Sequence, residues 1–383
     1  MRVAHLSTTH CPDDVRVVHK ECRSLAELGH EVTVILPGRE VPADPVDVRF
    51  DLVAKPSARL QRMTLTALMV FLRAWRMRAD VYHFHSPELI PWMFLLLLRG
   101  RPIVYDVHED FSTGIRRAIY LPYWLAATCA FGLRVLEYLA TRCFTVVIAE
   151  KYYVEIFPNG VELLNYPRVE DFPELAVHEV PEADSTAPVI VYAGSLVRQR
   201  GALNYADLAK AMPEVRVRTV GVVSSKLARE MRERAGDAAN LEIVGVSRWL
   251  CYGEILEAYR AKPILGLAIF PDSDHYRRKE LTKFFEYMAA GIPVVCSDFP
   301  VWRKLIERHG VGVCVDPEDL ASAAATIREL IADRSRRQAM ADRGRALVLE
   351  RFNWDLEAAR LDHLYVSLVA DRTTVPARHP NSI

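Results

Sequence analysis

Along the first half of the chain, short runs of consecutive apolar residues alternate with stretches in which apolar positions recur at every third or fourth place. Val3 to Leu6 is the first run. Val15, Val18, Cys22, Leu25 and Leu28 then follow at helical spacing, and Gly29 closes that pattern before a second run from Val32 to Leu36. The order predicted is strand, helix, strand. Val81 to Phe84, Ile103 to Tyr105 and Thr145 to Ile148 predict further buried strands, because a parallel sheet covered by helices on both faces reads as continuous apolar runs.

The periodicity fails between Arg168 and Pro188, in the proline- and acid-rich EDFPELAVHEVPEADSTAP. Strand-like runs resume at Val189 to Tyr192 and recur at Val215 to Val220, Leu241 to Val244, Ile264 to Ala268, Val294 to Cys296 and Val313 to Val315. Helical patterns follow over Asp319 to Ala332, Arg334 to Glu350 and Trp354 to Val369. The fold class predicted is α/β, with two Rossmann-like doubly wound parallel-sheet domains over residues 1–170 and 185–352. The helix at 354–370 is expected to pack back on the first domain, and the polar tail at 371–383 to be disordered. Ligands of such sheets bind beyond the carboxyl ends of the strands, so two facing domains predict an inter-domain cleft lined by strand-to-helix loops.

In a chain of 383 residues, 49 Lys plus Arg balance 49 Asp plus Glu, which removes the overall field that would draw it to nucleic acid. The seven cysteines are scattered without a C-x-x-C pair, and read as reduced, mostly buried thiols. Met1 and Arg2 lead straight into the first strand with no signal-peptide pattern, so a cytoplasmic location is expected. The apolar stretches Leu89 to Leu98 and Ile119 to Leu133 contain Pro91 and Pro122 and fall short of the roughly 20 residues that span a bilayer. Arg62, Arg73, Arg76 and Arg78 flank Leu65, Leu68, Met69, Leu72 and Trp75, and Arg116 and Arg117 precede the apolar run from Ile119. Basic, aromatic surfaces of this kind lie on anionic membranes, and buried core helices look similar.

The chemistry concentrates in a few loops. In LTKFFEYMAAGIPVV, Thr282 is placed to cap a helix running to Ala290, with Gly291 at its C-terminal end. A helix start offers free N–H groups and a positive dipole end to a diphosphate, and Lys283 adds a charge there. Glu286 supplies a carboxylate able to accept two hydrogen bonds from a vicinal diol such as a ribose, unless it is simply solvated. Arg198 and Arg200 lie in the loop after the first strand of the second domain, where a guanidinium can grip phosphate. Gly221, after the run Val215 to Val220, lets a diphosphate approach the backbone or makes a plain turn.

The segment LTKFFEYMAAGIPVVCSDFP resembles the donor site of the retaining glycosyltransferases of the two-Rossmann GT-B fold, family four. VYAGSLVRQRGA, LEIVGVSRWLCYGEILEAY and GVGVCVDPEDLASA stand in that family's order, and the resemblance covers nearly all of the chain except the tail. It implies that Glu286 binds the nucleotide ribose, that Arg200 is the stronger phosphate ligand of the two loop arginines, and that backbone around Gly245, Val246 and Ser247 reads the base. Trp249 is expected in the core, with stacking near the base as the alternative. The resemblance implies transfer with retention from a nucleoside-diphosphate sugar, UDP-sugar being expected, to a glycan, lipid-linked or small-molecule acceptor. Arg200, Lys283 and the helix start are expected to stabilise the leaving diphosphate without a metal.

In the first domain TTHCPDDVRVVHKECRSLAELGHEV has no glycine before Gly29, so the dinucleotide fingerprint is absent, which argues against an oxidoreductase. Asp14 and Arg16 match an Asp-x-Arg of the family and are candidates for the acceptor side together with His85; Asp14 is equally placed to cap a helix. Three strand-end histidines, His83, His85 and His108, have the character of zinc ligands, but no cysteine or closely spaced carboxylate accompanies them, so no metal is expected. The resemblance puts His108 against the donor sugar. The family often carries a second glutamate with seven residues between it and the ribose ligand; Arg278 occupies that position here, inside the run Arg277, Arg278, Lys279. Arg278 is therefore expected to meet an acidic sugar or extra phosphate, with a solvated basic loop as the equal alternative, and Glu280 replaces the glutamate only if the loop shifts by two places. A nucleotide-sugar 2-epimerase of the same fold and a catalytically idle nucleotide-sugar binder are the rival readings.

Overall fold

The computed structural model describes residues 1–41, 47–116, 122–173, 188–236 and 238–373. Arg117, the start of the apolar run at 119–121, most of the acidic stretch at 174–187 and the tail at 374–383 lie outside the described residues.

The chain divides into two compact units, one formed by Met1–Asn165 with the segment beginning at Asp355, the other by Tyr166–Trp354. The first holds a parallel sheet of seven strands in the order β3-β2-β1-β4-β5-β6-β7. These are β1 (Arg2–Leu6), β2 (Glu31–Pro37), β3 (Arg49–Val53), β4 (Val81–Phe84), β5 (Ile103–Val107), β6 (Thr145–Ile148) and β7 (Val161–Glu162). The second holds six parallel strands in the order β10-β9-β8-β11-β12-β13. They are β8 (Val189–Ala193), β9 (Arg216–Val223), β10 (Leu241–Val246), β11 (Leu265–Ala268), β12 (Val294–Ser297) and β13 (Gly312–Val315). Both orders reverse direction at one point, between β1 and β4 and between β8 and β11. A doubly wound sheet opens its ligand crevice at that reversal.

The runs form strands because both faces are covered. Phe84 on β4 stacks on Tyr105 of β5 with ring centres 4.7 Å apart, and Leu6, Val70, Leu89 and Ile148 complete a buried cluster around them. Full burial of one such ring stabilises by about 1.5–3 kcal/mol. In the second unit Trp302 is buried against Phe270, Phe284 and Phe299. The edge strands β3 and β7 escape the sequence pattern because Arg49, Asp51 and Glu162 interrupt their apolar character.

The last helix, Trp354–Thr373, belongs largely to the first unit. Its Tyr365 hydroxyl lies 2.5 Å from His83 Nδ1, and its Glu357 accepts the Leu164 N–H at 2.9 Å. Among the described residues no helix is long and apolar enough to cross a membrane. The cysteines depart from expectation: Cys11, Cys129, Cys143 and Cys251 are exposed, and Cys22 and Cys296 are buried.

Candidate functional site

The carboxyl ends of β8, β9 and β10 approach one another with only glycine at the contacts. A Cβ on Gly221 would stand 1.9 Å from the Gly194 carbonyl oxygen, and one on Gly245 would stand 2.5 Å from that of Gly221. Gly221 lies inside β9, which runs three residues beyond the predicted end to Val223. The space left by its missing side chain is filled by neighbouring backbone. A hollow of about 450 Å³ beyond these strand ends is lined by Ser195, Leu196, Arg198, Val223, Ser224 and Glu230.

Lys283 reaches this corner from the helix Thr282–Ala289. Leu281, with no side-chain bond, occupies the cap position expected for Thr282, which is the first helical residue. Lys283 Nζ sits 5.2 Å from the centre of the Tyr192 ring and 5.7 Å from that of Phe270, next to Gly194. Among the described residues no carboxylate forms an ion pair with it. Burial, reinforced by the charge of Arg200 and partly offset by Glu286, lowers the ammonium from its ordinary value to about 7. Arg200 is half-buried and its Nε donates to the Tyr276 hydroxyl at 3.1 Å. Arg198 is exposed and paired with Glu230. Glu286, half-buried one turn along the helix from Lys283, accepts the Tyr259 hydroxyl at 2.7 Å, which leaves its second oxygen for another donor.

The remaining second-unit candidates are more peripheral. Val246 ends β10 half-buried, and the Ser247 N–H donates to the Val223 carbonyl at 2.7 Å while its hydroxyl meets that of Ser225 at 2.6 Å. Trp249 is 68% exposed and is not the core residue expected. Arg278 is exposed at the end of the short helix Asp274–Arg277, Glu280 follows half-buried, and the neighbouring Arg277 pairs with Asp272.

In the first unit the strand-end histidines converge with two carboxylates that sequence reading did not bring to them, Glu21 and Asp106. That corrects the premise on which metal was dismissed. Asp106 receives Arg16 Nε and Nη2 at 3.1 Å each, His85 Nδ1 at 3.2 Å and His108 Nε2 at 2.5 Å. Burial alone would raise the Asp106 carboxyl, but Arg16 and His108 outweigh it and hold the group well below its usual range. Burial and the neighbouring Asp106 charge push Glu21 well above the usual range, against the pull of Arg16. His5 is lowered to about 3, chiefly by burial, and burial lowers His83 and His85 likewise.

Two acceptor-side expectations change here, and Asp14 takes the capping role that was its alternative. Asp14 caps the helix that starts at Val15, accepting the Val17 N–H at 2.9 Å. Arg16 is buried between Asp106 and Glu21, and His85 is fully buried, so neither presents a surface to an acceptor. His108 keeps 13% of its side chain exposed and is the outermost member of the His85–Asp106–His108 chain. Asp106 was within reach of sequence reading, two places before His108 on the same strand face, whereas Glu21 lies on a helix whose inward side carried no distinguishing signal.

A family model described as Glycosyltransferase Family 4 matches residues 15–163, and one described as Glycosyl transferases group 1 matches residues 174–347. A phosphatidyl-myo-inositol mannosyltransferase of Mycolicibacterium smegmatis is 25% identical over 362 residues, 89% of this chain and 86% of that protein. A GDP-mannose-dependent alpha-(1-6)-phosphatidylinositol monomannoside mannosyltransferase of Mycobacterium tuberculosis is 33% identical over 78 residues, 20% of each chain. The structure of Anabaena HepE in complex with UDP superposes with a TM-score of 0.69 at 14% identity, covering 96% of this chain and 100% of that one. The two parallel-sheet units are those of the GT-B fold.

Proposed function

The chain belongs to glycosyltransferase family 4, and on that premise we propose that it transfers a sugar, with retention, from a nucleoside-diphosphate sugar to a lipid-linked acceptor. The observation that carries the donor half is Lys283, a buried ammonium among aromatic rings with no carboxylate paired to it among the described residues. Departure of the sugar builds negative charge on the diphosphate, and a cation already desolvated there stabilises that charge more strongly than one in water. Arg200 supplies the second cation, and Glu286 holds the ribose through the oxygen that Tyr259 leaves open. In this reading the diphosphate needs no metal, and His108, oriented by Asp106, faces the transferred sugar.

UDP is the expected nucleotide, and the GDP-mannose-dependent relative makes GDP-sugars the first alternative. Acceptor choice rests on the outer face of the first unit. Tyr123, Trp124, Phe131 and Tyr138 of the helix Tyr123–Cys143 are 79%, 68%, 68% and 57% exposed. Rings in that number on one helix suit the interfacial layer of a membrane, where a lipid-linked acceptor is presented. A phosphatidylinositol-directed relative supports the same choice.

The test is incubation with a panel of UDP- and GDP-sugars without acceptor. Slow release of free nucleoside diphosphate from one donor is expected. A donor epimerised at C2 instead assigns the chain to the epimerases, and tight binding with no turnover, even with lipid-linked acceptors added, assigns it to idle binders.

A further inference from the structure

Glu21 is surrounded by imidazole nitrogens. Its Oε2 lies 3.7 Å from His5 Nδ1, 3.8 Å from His83 Nδ1 and 3.8 Å from His85 Nε2, and His5 Nδ1 is 3.0 Å from His85 Nε2. All four side chains are fully buried. Donor atoms held tetrahedrally at roughly 2.0–2.1 Å from an ion stand about 3.3 Å from one another. We propose that His5, Glu21, His83 and His85 form a metal site at the carboxyl ends of β1 and β4, taking one divalent transition-metal ion, zinc by its set of three nitrogens and one oxygen.

A hydrogen-bonded cluster accounts for these groups less well. Glu21 Oε1 is ion-paired with Arg16 Nε at 3.0 Å, whereas Oε2 has no hydrogen-bond partner among the described residues and its imidazole neighbours at 3.7 and 3.8 Å stand too far off for one. Asp106 differs, since Arg16 and His108 already satisfy it. The outer nitrogens fit as well. Ligating histidines typically direct their other nitrogen to a carboxylate or another acceptor, and His85 Nδ1 points to Asp106 Oδ2 at 3.2 Å. His5 bound through Nδ1 turns Nε2 to the Tyr365 hydroxyl 3.5 Å away, and that hydroxyl then releases His83 Nδ1 for the ion.

The ion ties β1, β4 and the helix carrying Glu21 together, and through His85 and Asp106 it fixes the ring of His108. It lies in the first unit, which contains none of the residues assigned to the diphosphate, so it is a structural ion rather than a Lewis acid for the leaving group.

The chain is purified without a metal-affinity step from cells grown with zinc, dialysed, and assayed by elemental mass spectrometry. About one zinc per folded chain is expected, with a lowered Tm after chelation that added zinc restores. Glu21→Gln and His5→Ala should each lose the ion; a Cys251→Ser chain, altered at an exposed residue outside the cluster, should keep it. Wild-type protein with under a tenth of an equivalent of zinc and a Tm indifferent to zinc and chelator overturns the site. So does a folded Glu21→Gln chain that keeps the full equivalent. The wild-type measurement decides even if the substituted chains do not fold.

Discussion

The Lys283 ammonium stands 5.2 Å from the centre of the Tyr192 ring, inside the second unit and beside Gly194. An aromatic face attracts a cation by about 0.5–2 kcal/mol, less than a full anion would supply in the same place. The free protein therefore holds Lys283 near its titration point, and on the proposed function a bound diphosphate would restore its proton.

The sign follows from that lowered value. The ammonium falls from 10.5 to about 7 in the folded chain, so above neutrality the free site is mostly deprotonated and binding a diphosphate takes up a proton. Calorimetry of UDP binding in buffers of different ionisation enthalpy should show uptake of up to about one proton at pH 8 and little at pH 6. Lys283→Met should abolish the uptake and weaken binding by roughly 10- to 100-fold, the worth of one charged hydrogen bond. Unchanged proton linkage in that variant removes Lys283 from the phosphate site.

Glu286 is expected to discriminate on the ribose. With one oxygen on Tyr259, Glu286→Gln should weaken nucleotide binding by about tenfold and erase most of the preference for ribose over deoxyribose nucleotides. A preference that survives intact places the diol elsewhere.

Arg278 is the residue through which the proposed function would distinguish acidic from neutral donor sugars. If it meets an acidic sugar, Arg278→Ala should reduce turnover of a uronic-acid donor by at least about tenfold more than that of its neutral analogue, in line with loss of a charge-assisted contact. Equal losses on both donors assign it to phosphate or solvent.

Gly221 should tolerate no side chain. Its Cβ would fall 1.9 Å from the Gly194 oxygen, and relief of that overlap requires β8 and β9 to part. Gly221→Ala should cost about 1–3 kcal/mol and lower the Tm by several degrees. Gly253 lies in the helix Tyr252–Arg260 with open space around its added Cβ, so Gly253→Ala should be neutral or slightly stabilising by comparison.

The exposed rings of Tyr123, Trp124 and Phe131 lead to a flotation experiment. The chain should rise with anionic liposomes at low salt, and replacement of Trp124 and Phe131 by Ser should abolish most of that binding while leaving the Tm within a degree or two, because both residues lie outside the core. Wild-type protein that stays at the bottom of the gradient favours a soluble acceptor.

Much of the architecture was legible because covered strands and amphipathic helices impose their own periods. Val81–Phe84, Thr145–Ile148 and Arg334–Glu350 have in the structure the bounds that the pattern predicts. Local periods say less about which strands become neighbours. The order that sets β1 beside β4 brings His5 to His85 across 80 residues, and Glu21 joins them from a helix, so the histidine cluster was half visible as three separate residues. Trp249 misled because a large apolar residue is only statistically inside. The placement of the proposed donor residues was easier to read, since Lys283 and Glu286 share one short helix and Arg200 follows one strand end.

The helix Trp354–Thr373 brings Tyr365 to His83 and Glu357 to Leu164, so the unit that starts the chain is completed by residues made after the whole second unit. At roughly 5–20 residues per second, synthesis of the intervening stretch of about 200 residues takes about 10–40 s. During that interval on the ribosome the seam beneath Tyr365 stays open to solvent. A histidine nest that the finished fold seals is thus accessible to small ions while translation continues, and the last helix acts as its closure.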